Sequence, residues 1–168
     1  MRTVELLPDD SLDRAVRMAW RRLDQAGFSS LARHRHPTNR PHVTLASAEH
    51  FPPGAAAAIG AALLLLPVRV RLDRLHFFGG RPGVLAWAVD SDGALQALQA
   101  QVWSALYGAG RNPLDEPGAW APHISLARRL RPGQEALAAS AVGHAVASGA
   151  LSGARSYDSV TRTVIPLP

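Results

Sequence analysis

The chain has 168 residues, 47% of them hydrophobic, a size and composition that suit one globular domain or two small lobes sharing a core. It contains no cysteine, which excludes disulfides, thiolate nucleophiles and cysteine-bound metal centres and leaves any chemistry to His, Asp, Glu, Arg, Ser, Thr or Tyr. The formal charge is +5 and every one of the 18 basic residues is Arg, a group suited to bidentate contact with phosphate oxygens, although a GC-rich genome enriches Arg in the same way.

In chain order, residues 3–7 read as a strand. Asp9, Asp10 and Ser11 then offer caps for a helix with Leu12, Val16, Ala19, Trp20 and Leu23 on one face, ending near Gly27. Residues 28–41 form a polar, Arg- and His-rich loop in which Pro37 and Pro41 oppose regular structure, and a strand resumes at 42–46. An Ala-rich helix follows Pro52-Pro53-Gly54 and runs to about Leu66. This is the longest apolar stretch, and Pro67 stops it well short of a membrane span. The first five residues carry an acid and lack the pattern of a secretory signal, so a cytoplasmic protein without membrane contact is expected.

Residues 68–72, 75–78 and 84–89 read as strands, with Gly79-Gly80-Arg81-Pro82-Gly83 making a turn between the last two. Residues 90–93 cap a helix carrying Leu95, Leu98, Val102 and Leu106 on one face. A second Pro- and Gly-broken loop spans 110–122, a strand covers 123–127, a helix covers 132–146, and 157–167 supplies a terminal strand. The order of elements is the same in two successive halves, which predicts an internal duplication with the halves packed side by side.

Each half carries the same string. Pro41-His42-Val43-Thr44-Leu45-Ala46 and Pro122-His123-Ile124-Ser125-Leu126-Ala127 match at every position once Val/Ile and Thr/Ser are equated. Side chains two apart on a strand leave the same face, so His42 points with Thr44 and His123 with Ser125, while Val43, Leu45, Ile124 and Leu126 face the core. Two such pairs brought face to face can bracket a tetrahedral phosphate, one imidazole near the entering oxygen and the other near the leaving oxygen. Imidazole suits both roles because its pKa lies near neutrality, and the hydroxyls can donate to the non-bridging oxygens. No cofactor or metal is required. His34, His36 and His42 lack a nearby carboxylate to complete a ligand set.

At these residues, and in the strings Trp120 to Arg128 and Phe77-Phe78-Gly79-Gly80 leading into Val84-Leu85-Ala86-Trp87, the chain resembles the 2H phosphoesterase superfamily. Within it the likeness is to the bacterial 2′-5′ RNA ligase-like branch, the RNA 2′,3′-cyclic phosphodiesterases, and it spans nearly the whole chain. The resemblance implies a bilobal α/β fold of the α+β type, a single 2H domain over residues 1–168. Two antiparallel sheets related by a pseudo-twofold would carry helices on their outer faces, with the motif side chains lining the cleft.

It further implies hydrolysis of 2′,3′-cyclic phosphate ends to 2′-phosphates, in some members with reversible 2′-5′ ligation. His123 is assigned as base and His42 as acid; the near-symmetry admits the reverse order. Arg128, five residues after His123 as in this branch, would contact phosphate with Thr44 and Ser125. Ser125 stands where the branch often has Thr, and the donor is kept. Arg35 and Arg40 in the basic loop are candidates for substrate phosphates or sugar, and Phe78, Trp120 and Tyr157 for stacking on a base. The expected partner is RNA with a cyclic phosphate end or a nucleotide, and the expected state a monomer. Two other readings stand beside this one: an enzyme for small cyclic nucleotides such as an ADP-ribose cyclic phosphate, and a non-catalytic RNA-end binding module.

Overall fold

The computed structural model describes residues 1–34, 36–80, 82–144 and 146–167. Its elements follow as β1 (Arg2–Pro8), α1 (Asp10–Gln25), β2 (Val43–Ala48), α2 (Ala55–Leu63), β3 (Val68–Phe78), β4 (Gly83–Asp90), α3 (Ala94–Ala105), β5 (His123–Leu130), α4 (Glu135–Val142), β6 (Ala147–Asp158) and β7 (Thr163–Leu167). Short 3-10 turns lie at Leu31–Arg33 and Pro113–Asp115. The unit β1-α1-β2-α2-β3 is repeated as β4-α3-β5-α4-β6, which is the duplication that the paired motifs announce.

The strands run β2-β1-β6-β3-β4-β5 in space, all neighbours antiparallel, with β7 added beside the second half of β6. Each unit therefore gives its last strand to the other: β3 joins β4, and β6 joins β1. The two antiparallel halves expected from the sequence are present, but they are not separate sheets. Val68 to Leu72 of β3 pair with Leu151 to Ala147 of β6 and make the sheet continuous. The helices follow the same exchange, α1 packing on α4 and α2 on α3.

A single cluster of buried apolar side chains runs through both halves, from Val4, Leu6, Leu12 and Leu23 to Leu95, Leu98, Ile124 and Leu126. Asp9 caps α1 by accepting from the Leu12 amide at 2.9 Å and also accepts from the Ala150 amide at 2.7 Å, tying helix to sheet. Gly149 permits that approach, since a Cβ there would lie 2.7 Å from Asp9 Oδ2 and 2.8 Å from Leu12 Cγ.

Several predicted boundaries differ: the helix expected over 132–146 is Glu135–Val142, and the terminal strand expected over 157–167 is divided by a turn between the end of β6 and β7. The expected strands 68–72 and 75–78 are one strand with a register shift between Arg71 and Arg74. The strand β6 begins at Ala147, ten residues before the terminal strand read from the sequence. Its text, ASGALSGARS, is small and polar, and pairing on both sides makes it a strand where propensity does not. Among the described residues, no helix is long and apolar enough to cross a membrane.

Candidate active site

The motif strands β2 and β5 lie at opposite ends of the strand order, yet they approach one another because the sheet curls. Their outer edges are covered by the other half. The Trp20 indole of α1 donates to the Ser125 carbonyl at 3.0 Å, and the Trp120 indole donates to the Thr44 carbonyl at 2.9 Å. Gln99 of α3 donates to the Leu45 carbonyl, and Asp115 accepts from the Ser47 amide at 2.8 Å. The Arg128 amide donates to the Ser29 carbonyl. These bonds satisfy edge groups that would otherwise be unpaired and fix the two motifs relative to each other.

Both imidazoles are held in the same way. Nδ1 of His42 is 2.7 Å from the Arg40 carbonyl, and Nδ1 of His123 is 2.8 Å from the Ala121 carbonyl. A carbonyl only accepts, so each Nδ1 carries hydrogen and each neutral ring presents the lone pair of Nε2. Burial depresses both pKa values below the ordinary 6.5. The charge of His42 depresses His123 further, and Arg128 acts in the same direction on both rings, so the three groups share one electrostatic neighbourhood.

The floors beneath the two rings differ. Across the strands of one half, Thr44 lies opposite Glu5 and Glu5 opposite Arg155. Across the other half, the matching row is Ser125, Ala86 and His76. Glu5 is 3% exposed, its Oε1 lies 3.8 Å from His42 Nε2 and accepts from the Thr3 hydroxyl, and its Oε2 accepts from Arg155 Nε at 2.7 Å. This carboxylate partly opposes the burial that lowers the His42 pKa. Among the described residues no carboxylate lies within 4 Å of His123, although Asp115 is close enough to feel its charge; Phe78 packs on its ring with centroids 4.6 Å apart, and His76 packs on Phe78 at 4.3 Å.

The sequence-derived residues are distributed as follows. His42, Thr44 and Arg128 line one cleft of about 580 Å³, together with Glu5, Arg155 and Tyr157. His123 and Ser125 are not among the residues that line it; they stand on β5, His123 near enough for the charge of His42 to lower its pKa, and Phe78 lies against His123. Trp120 reaches across to the Thr44 carbonyl, which commits its indole N–H to holding the motif. Arg40 contributes its carbonyl to His42 and lines a different hollow with Asp9 and Ser152. Arg35 lies outside the described residues. Among the described residues, no group of three His, Cys, Asp or Glu is arranged to hold a metal ion.

Sequence reasoning passed over Glu5 and Arg155. A lone acid inside the apolar strand Thr3-Val4-Glu5-Leu6-Leu7 was the available signal, because a buried carboxylate demands a partner. Arg155 gave no signal, since its strand was not legible.

The family model described as the 2′-5′ RNA ligase superfamily matches residues 8–152, most of the chain. This protein belongs to the 2′-5′ RNA ligase superfamily of 2H phosphoesterases. None of the curated protein sequences matches the chain. Two solved structures of Usb1 from Kluyveromyces marxianus, one of them with uridine monophosphate, are similar in fold. Each has 14% identity and a TM-score of 0.55, covering 99% of this chain and 97% of that one. The likeness in fold to these structures extends beyond the segment that the family model matches.

Proposed function

We propose that the protein hydrolyses 2′,3′-cyclic phosphates at RNA ends to 2′-phosphates without a metal, His123 serving as general base and His42 as general acid. In the reactive form His123 is neutral and His42 protonated, a form favoured on the acid side of 6.5 because burial lowers both rings. Nε2 of His123 takes a proton from water as its oxygen attacks phosphorus, and the bond to the 3′ oxygen breaks in line on the opposite side. Nε2 of His42 gives its proton to that departing oxygen. Thr44, Ser125 and Arg128 donate to the non-bridging oxygens, where charge accumulates in the five-coordinate state.

The observation that carries this reading is the pair of imidazoles, each pinned through Nδ1 to a carbonyl two residues earlier, on strands related by the internal duplication. The order of roles follows from the unequal floors. Glu5 near His42 Nε2 favours the protonated ring there, and the matching Ala86 offers His123 nothing comparable. Because one chain supplies both halves of the cleft, we also infer a single-domain monomer.

Incubation with a cyclic-phosphate oligonucleotide and a chelator tests the proposal. A 2′-phosphate end is the expected product. A 3′-phosphate product, or no turnover of any cyclic phosphate, overturns it.

A further inference from the structure

The strand β5 departs from regular alternation twice. Its register on β4 shifts between Leu85 and Ala86 and again between Gly83 and Val84. The first irregularity leaves Leu126 and Ala127 both buried; the second leaves Arg128 and Arg129 both exposed before Leu130 turns inward again. Arg129 has φ of 60°, a left-handed conformation that is uncommon for a residue with a side chain and is typical of functional sites. The outcome is two consecutive guanidinium groups lining one cleft, where a regular strand would send them to opposite faces.

Neither Arg128 nor Arg129 has a carboxylate partner among the described residues. The acid that lines this cleft, Glu5, is already paired with Arg155. Arg33, oriented by an ion pair with Asp24, and His34 line the same cleft. The other half of the molecule does not reproduce this feature. There β2 carries the same first irregularity, between Val4 and Glu5, but the residues that follow are Ser47 and Ala48. Both are buried, and Ser47 is bonded to the carboxylate of Asp115. One end of the site is thus closed around an acid, and the other is open and cationic.

We propose that Arg129, with Arg33 and His34, forms a second phosphate subsite, so that the substrate is an oligonucleotide whose neighbouring phosphodiester lies there while its terminal phosphate lies between the histidines. This rests on reading the cleft as a phosphoesterase site. Arg128 serves the reacting phosphate, and Arg129, one residue further along, serves the next. A guanidinium fork suits a phosphodiester, which keeps one negative charge and two free oxygens at any working pH.

The test compares two ligands that do not turn over, a nucleoside 2′-monophosphate and a dinucleotide ending in a 2′-phosphate, by calorimetry. Wild-type protein is expected to bind the dinucleotide about tenfold more tightly, the effect of one added charge-assisted contact. In Arg129→Gly, which accepts the left-handed backbone without strain, the ratio is expected to fall to about one, and in Arg129→Lys most of it is kept. A ratio near one in the wild type, or an unchanged ratio in Arg129→Gly, overturns the subsite. Turnover of cyclic phosphate is scored separately. A tenfold ratio without turnover upholds the subsite while removing the proposed reaction, and turnover with a ratio of one does the reverse.

Discussion

The two halves of the molecule share a skeleton and differ in what lies beneath their imidazoles. Both present His and a hydroxyl from a strand with the same early irregularity, both fix Nδ1 on a carbonyl, and both receive an indole N–H from the other half. One half places a buried Glu5–Arg155 pair under its ring, whereas the other places Ala86, His76 and Phe78 there. On the proposed mechanism the shared parts would hold two proton-transfer groups in position and the unshared parts would decide which of them carries the proton, so directionality would come from residues that the repeat does not conserve internally.

The most severe way to break this comparison is to remove one imidazole at a time. His42→Ala and His123→Ala are each expected to lower kcat/KM by about a thousandfold, as loss of a general acid or base does. A large loss from one variant only, in steady-state kinetics on a cyclic-phosphate end, would show that the halves are not catalytic equals. Glu5→Ala is expected to destabilise the fold by about 3–5 kcal/mol because it leaves Arg155 buried without its partner. Adding Arg155→His, which copies the row of the other half, should recover much of that loss in denaturant melts.

Smaller effects sharpen the comparison. Trp20→Phe and Trp120→Phe each orphan a motif carbonyl and are expected to cost about 1–3 kcal/mol, equally in the two halves, by the same melts. The pH profile is subtler. A base must be neutral and an acid protonated, and burial holds both histidines below 6.5, so kcat/KM is expected to be bell-shaped with its maximum on the acid side of 6.5. Glu5→Gln removes the carboxylate that raises His42, so the limb governed by His42 moves to lower pH. With His42 as acid this is the alkaline limb, and movement of the acidic limb would reverse the two roles.

Much of this molecule was legible in its sequence. Helix α1 announced its buried face through Leu12, Val16, Ala19, Trp20 and Leu23, all of which are buried. The motif strands were legible because β-branched and aliphatic residues alternate with His and a hydroxyl over a short span. What escaped was set by partners distant in the chain. Strand β6 owes its conformation to β1 and β3, so Arg155 could not be placed, and without Arg155 the buried Glu5 had no explanation. The irregularities of β5 are visible only against β4, so nothing in the sequence singled out Arg129. The sequence offered Trp120 as a stacking surface and gave no sign of its indole bond, which spans 76 positions to Thr44.

The exchange of final strands between the repeated units has an evolutionary reading. Two identical copies of one unit, each lending its last strand to the other, would build the same curled sheet, but with identical rows under both rings and no preferred direction for the proton. Joining the copies in one polypeptide frees each row to change alone. A Glu can then stand on one side and an Ala on the other, which gives the site a front and a back.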